Sequence, residues 1–185
     1  SKAGSRSRCL VYEGYTTTPG DGGRATFDIT ATAVKAFEPN AADLVFRNFK
    51  LTDTGNVTNM NLYQPTTSAR NFAENLWCVP TGTTPVGISS GAIGLHTFRC
   101  RVDTSAGLGI QGGNASRNYF TVVHDCNNVG IRDNMLPGVF CISDTNCVTV
   151  TAGGISQGGG GVLFLLFCTS YNSGTSSDGI RQIDN

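Results

Sequence analysis

The dipeptide Gly-Ile recurs along the second half of this 185-residue chain, at Gly87-Ile88, Gly109-Ile110, Gly130-Ile131, Gly154-Ile155 and Gly179-Ile180. The isoleucines are separated by 22, 21, 24 and 25 residues. Five of the nine isoleucines follow a glycine, where random placement among 24 glycines gives about one. A period of this length points to a solenoid. A unit so short cannot bury its own apolar face and must stack on copies of itself.

The residues between the markers define the unit. About ten residues after each Gly-Ile, an aromatic opens an alternating run. The runs are Phe98-Arg99-Cys100-Arg101-Val102, Phe120-Thr121-Val122, Phe140-Cys141-Ile142 and Phe164 to Phe167. Alternation at period two is the strand signature. It predicts Phe98, Cys100, Val102 and Phe120 facing inward, with Arg99, Arg101 and Tyr119 facing outward. Small polar turns follow, such as Asp103 to Gly107 and Asn127-Asn128. The leucine frame of leucine-rich repeats and the 3.6-residue period of helical repeats are both missing.

The pattern predicts an all-β chain, a right-handed parallel β-helix of coils of about 21–25 residues with the Gly-Ile isoleucines as one inward ladder. The alternating run Leu44 to Asp53 extends it upstream, so residues 43–185 read as the β-helix. Residues 1–42 read as an N-terminal arm and capping segment. Lys2, Arg6 and Arg8 belong to the arm, Thr16 to Gly23 to a loop, and Ala25 to Val34 to a strand that covers the open end of the stack.

Thirteen basic and thirteen acidic residues leave no net charge, which argues against nucleic-acid binding. No run of 18 apolar residues occurs, so no membrane insertion is expected. Seven cysteines are an odd number, and none is spaced as CxxC. They read as buried thiols formed in a reducing cytosol, with no metal site and no other cofactor expected.

The succession Phe98-Arg99-Cys100-Arg101-Val102, Gly109-Ile110, Asn118-Tyr119-Phe120-Thr121-Val122, Gly130-Ile131 resembles the pectate-lyase-like β-helix superfamily. Its short coils rich in Gly, Ser, Thr and Asn are similar to those of bacteriophage tailspikes and related viral spikes. The resemblance implies a homotrimer on the virion, in contact with other virion proteins, that binds and in some members cleaves bacterial surface polysaccharide outside the cell. The Asp-Asp and Gly-His-Gly motifs of polygalacturonases are missing, and the acidic residues are too dispersed for a calcium-dependent lyase. The expected function is therefore a spike-like polysaccharide-binding domain. A polysaccharide-degrading enzyme, hydrolase or lyase, and a capsid decoration protein are the alternatives.

Candidate site residues follow from the repeat. Glycoside hydrolysis needs two carboxyl groups roughly 5 to 9 Å apart. Asp103 lies seven residues before its repeat isoleucine and Asp125 six before its own, which makes them the candidate catalytic pair on adjacent coils. Asp at a turn also serves simply to bond local backbone. Trp77, Tyr63, Tyr119 and Tyr171 are candidate sugar platforms, and Tyr119 fits a subunit contact equally well. Arg99 and Arg101 suit an acidic glycan, a solvated face or an intersubunit ion pair.

Overall fold

The computed structural model describes residues 9–30, 35–55, 61–65, 70–82, 86–89, 94–105, 107–113, 116–126, 129–133, 138–139, 141–144, 155–157, 165–166, 168–171 and 180–181. Its strands come in threes, one triplet per coil. The first coil holds β1 (Leu10–Glu13), β2 (Ala25–Asp28) and β3 (Lys35–Phe37), and the second β4 (Leu44–Arg47), β5 (Phe49–Thr52) and β6 (Asn61–Tyr63). The third has β7 (Asn71–Glu74), β8 (Trp77–Val79) and β9 (Val86–Ser89); the fourth has β10 (Leu95–Phe98), β11 (Arg101–Ser105) and β12 (Leu108–Gln111). The fifth is β13 (Arg117–Tyr119), β14 (Val122–Cys126) and β15 (Ile131–Asp133). The sixth is β16 (Gly138–Val139), β17 (Ile142–Asp144) and β18 (Ile155–Gln157), and the seventh β19 (Leu165–Leu166), β20 (Thr169–Tyr171) and β21 (Ile180–Arg181).

Each strand pairs in parallel with its equivalents one coil away, giving three sheets of seven strands. The first sheet runs from β1 to β19, the second from β2 to β20 and the third from β3 to β21. The fold is an all-β parallel β-solenoid. In the third sheet the register stacks Phe37, Tyr63, Ile88, Ile110, Ile131, Ile155 and Ile180 in one column. From Tyr63 to Ile155 no member is more than 1% exposed, so the expected isoleucine ladder is present and extends upstream through two aromatics.

The glycine of the motif has a packing cause. A Cβ on Gly109 would run into Val123 Cγ1 of the second sheet and the carbonyl oxygen of Gly130 in the coil above. Gly87 meets Val102 and the Gly109 carbonyl in the same way. The chain approaches its neighbours there more closely than any side chain allows.

The corner between first and second sheets changes the alternation read from the sequence. Asn48, Asn75, Arg99 and Phe120 occupy it in successive coils, all left-handed, with φ of 61°, 53°, 52° and 50°. Hydrogen bonds run straight through it, Asn48 N to Glu74 O, Asn75 N to Phe98 O and Arg99 N to Tyr119 O. This bend inserts one residue between two inward-facing sets. Leu95 and Thr97 face the core, Phe98 faces out, and burial resumes at Cys100 and Val102. Phe98 and Phe120 were expected inside; Phe98 is half-buried on the outer face and Phe120 is 46% exposed on the corner.

The N-terminal region also differs from expectation. Ala25–Asp28 is a rung of the second sheet, paired with Phe49–Thr52, and does not lie across the end of the stack. Leu10–Glu13 and Lys35–Phe37 complete that first coil. Its backbone groups are satisfied by joining the ladder, which bonds more groups than a crossing strand would. Asp21 closes the loop between β1 and β2 by accepting from the backbone N–H groups of Thr16, Thr17, Thr18 and Gly23. These donors hold its carboxyl down at about 2.

Aromatic side chains fill the first two coils. Phe37 packs on Phe27, Phe46 and Phe49 at centroid distances of 5.0 to 5.8 Å. Farther along, the core holds smaller residues. Cys78, Cys100, Cys126 and Cys141 are buried thiols without disulfide partners among the described residues. Burial pushes the Cys100 thiol up to about 12. Cys147 lies outside the described residues. Thr97 is buried with polar partners, donating to Asn118 Oδ1 at 2.6 Å and lying 3.1 Å from Thr121 Oγ1.

Ile131→Ala should lower unfolding stability by about 2–5 kcal/mol through cavity formation. Gly109→Ala should cost about 1–3 kcal/mol through overpacking. Arg132→Ala, one residue along and exposed, should change it by less than about 0.5 kcal/mol. Urea denaturation followed by circular dichroism checks the order; equal effects at 131 and 132 would contradict the inward ladder.

Candidate functional site

The outer face of the first sheet carries an open groove of about 610 Å³ across β4, β7, β10 and β13. Two outward columns build it. Val45, Phe72, His96 and Arg117 lie in register in one, and Arg47, Glu74, Phe98 and Tyr119 in the other. Parallel pairing places equivalent side chains about 4.8 Å apart, so each column is a continuous stack. The His96 and Phe72 rings lie 5.0 Å apart, tilted by 35° to each other. Phe98 meets the edge of Phe120 at 5.6 Å, with the Arg99 guanidinium 5.0 Å from its centroid. Phe72 is 38% exposed.

Charge in the groove is uneven. Glu74 stands in register with Arg47, whose guanidinium donates to Glu13 at 3.0 Å. Glu13 and then Glu74 raise the Arg47 pKa above its ordinary value. His96 is pushed the other way: burial disfavours its cation, and the neighbouring Arg117 charge adds to the effect. Among the described residues Glu74 is the single carboxylate in the groove lining.

The sequence-derived candidates fall in three places. Tyr119 lies in the groove and Arg99 at its corner. Trp77, Arg101 and Asp103 lie together on the second sheet. Lys50 Nζ sits 4.3 Å and the Arg101 guanidinium 5.8 Å from the Trp77 ring centre. The indole N–H donates to Asp103 Oδ2 at 2.7 Å, and Arg101 Nε donates to both Asp103 oxygens. Trp77 is thus tied up within its own sheet. Asp125 is elsewhere again, exposed, left-handed at φ 55°, and 3.2 Å from His124 Nδ1.

Asp103 and Asp125 do not stack. Asp103 stands opposite His124, so Asp125 is one position out of register. The count back from the isoleucines already carried this offset, seven residues for Asp103 and six for Asp125; it is His124 that lies seven before its isoleucine. Tyr63 is fully buried in the third sheet and offers no platform, while the Tyr171 side chain lies outside the described residues. Sequence reasoning missed Phe72, Glu74, His96, Phe98 and Arg117. Beginning the strand at Leu95, with Leu95 and Thr97 inward, would have turned His96 and Phe98 outward and exposed the column.

Among the described residues no three His, Cys, Asp or Glu side chains are grouped to hold a metal ion. No family model, no curated protein and no solved structure matches the chain.

The setting of His96 makes a pH prediction. Its folded pKa lies below the ordinary value of about 6.5, so the unfolded chain takes up the proton first. Stability is therefore full above the ordinary value and falls as pH drops through it toward the lowered one. The His96 Cε1–H resonance should titrate below about 6.5, and Arg117→Gln should move the midpoint upward. A midpoint at or above the ordinary value would contradict the arrangement.

Proposed function

We propose that this chain is a spike-like carbohydrate-binding domain that attaches to cell-surface polysaccharide through the first-sheet groove and does not cut it. The observation that carries this reading is the pair of outward columns, in which rings of Phe72, Phe98 and Tyr119 are interleaved with His96, Arg117 and Glu74. A sugar ring presents an apolar C–H face and a polar rim. Aromatic platforms take the face, and imidazole, guanidinium, phenol and carboxylate take the hydroxyls. A polysaccharide lying across the rungs would meet such platforms on successive strands.

Cleavage asks for more. A hydrolase needs one protonated and one ionised carboxyl across the scissile bond. Among the described residues the groove lining offers one carboxylate, Glu74, and no second one across from it. The resemblance to pectate-lyase-like folds and viral tailspikes agrees with a binding role on bacterial polysaccharide. A parallel homotrimer on a virion would multiply a shallow site by avidity. An enzyme is the competing reading.

Retention on immobilised bacterial surface polysaccharides, with reducing ends assayed in the supernatant, tests the proposal. Retention without release of reducing ends is expected. Tyr119→Ala should weaken it about tenfold, the worth of one stacked ring. Asp125→Asn should leave it unchanged. Depolymerisation abolished by Asp103→Asn or Asp125→Asn would make the enzyme reading correct. Light scattering of a trimer in which Tyr119→Ala yields monomers, with polysaccharide retention unaffected, would make the groove a subunit interface instead.

A further inference from the structure

Resting on the reading of the groove as a sugar site, we infer that its ligand is an anionic polysaccharide, one whose repeating unit carries a carboxylate. The inference comes from the distribution of charge around the rings. Glu74 has Arg47 in register beside it, and Arg47 already donates to Glu13. At the other end Arg117 has no carboxylate partner among the described residues, and its in-register neighbour is His96. Other cations nearby have partners within the chain: Arg101 is held by Asp103, Arg70 by Asp43 at 2.7 Å, and Arg24 donates to Asn75. Arg99, at the corner, rests on the Phe98 ring and likewise has no carboxylate among the described residues.

Positive charge without a carboxylate among the described residues is thus gathered on the Arg117 and Arg99 side of Phe98 and Tyr119, while Glu74, which shares Arg47 with Glu13, holds the opposite side of Phe98. A sugar stacked on either ring would bring its substituents to the Arg117 and Arg99 side. A guanidinium presents a planar fork that fits a carboxylate with two parallel hydrogen bonds, which a neutral hydroxyl cannot match. The apolar rings on the same face exclude water and so strengthen the contact. A neutral glycan would leave Arg117 without an anion; an acidic one would supply it.

The test uses the full chain and a panel of acidic and neutral capsular polysaccharides, with each bound polymer retested after chemical reduction of its carboxylates to alcohols. The expected result has four parts. Acidic polymers are bound; reduction abolishes binding; affinity falls as salt is raised, as it does for exposed charges; and Arg117→Gln loses roughly ten- to hundredfold. Arg117 is exposed, so the variant should keep the circular dichroism of the parent. The salt series on the unaltered chain gives a reading that depends on no variant. Binding of neutral polymers, or binding that survives carboxyl reduction, would overturn the charge inference and leave the sugar site standing. Retention of no polysaccharide, or of an acidic one unaffected by both Arg117→Gln and Tyr119→Ala, would overturn the two together.

Discussion

The parallel hydrogen-bond ladder between successive coils is the constraint on which the rest depends. It sets one strand directly over the next at about 4.8 Å, so each side chain must tolerate its equivalents above and below. Inside, this turns one isoleucine per coil into a column that no water reaches. Outside, it turns one aromatic or ion per coil into a stripe. Core and surface are thus written by the same register. A slip of one residue would exchange them, moving His96 and Phe98 inward and Leu95 and Thr97 out.

Closing three sheets into a coil both bends the chain and crowds it, and the two demands are met by different devices. In the third sheet the chain removes side chains: Gly87 in β9 and Gly109 in β12 sit where a Cβ would strike Val102 or Val123 of the second sheet. Between first and second sheets it keeps the side chain and bends the backbone into the left-handed region. Asn48 and Asn75 suit that conformation, and Asn75 Nδ2 donates to Asn48 Oδ1 at 2.7 Å. Arg99 and Phe120 have no such preference, and a bulky residue there costs of order 1–3 kcal/mol. The bonds from each corner to the next coil hold them in place. What the strained corner achieves is placement, since it turns Arg99 and Phe120 outward against Phe98 at the edge of the groove.

This difference explains how far the sequence could be read. The close approach at Gly-Ile announces itself in composition, because glycine is the residue that fits, and from it the coil length, the parallel stacking and the column of Ile88, Ile110, Ile131, Ile155 and Ile180 were all legible. The left-handed corner carries no shared residue type: Asn, Asn, Arg and Phe occupy it in turn. Alternation was therefore carried across Arg99 as if the strand were continuous, which put Phe98 on the wrong face. Tyr119, at the position equivalent to Phe98, was read as outward only because its neighbour Phe120, the corner residue, was read as inward. The first coil was hidden for a related reason. Its β1 and β4 rungs are 34 residues apart at Leu10 and Leu44, well outside the period of the later coils, so its strands read as a cap.

The two aromatic stripes on the outside show why exposure of a ring does not by itself make a platform. On the second sheet Trp77 has Lys50 and Arg101 on the rungs either side, and their charges lie by its ring while Asp103 holds its N–H. That column satisfies itself, and its charges close on one another. On the first sheet the sequence of rungs is different. Phe72 lies against His96, ring beside ring at a tilt, and burial and then the Arg117 charge lower the imidazole pKa. The charge at the top of that column is left to solvent while the rings below stay half open. On the reading proposed above, a cation beside bare aromatic faces suits a ligand that is flat, partly apolar and negative. The rung order, rather than the number of aromatic residues, is what separates a stripe whose groups close on one another from one that leaves its rings and cation open.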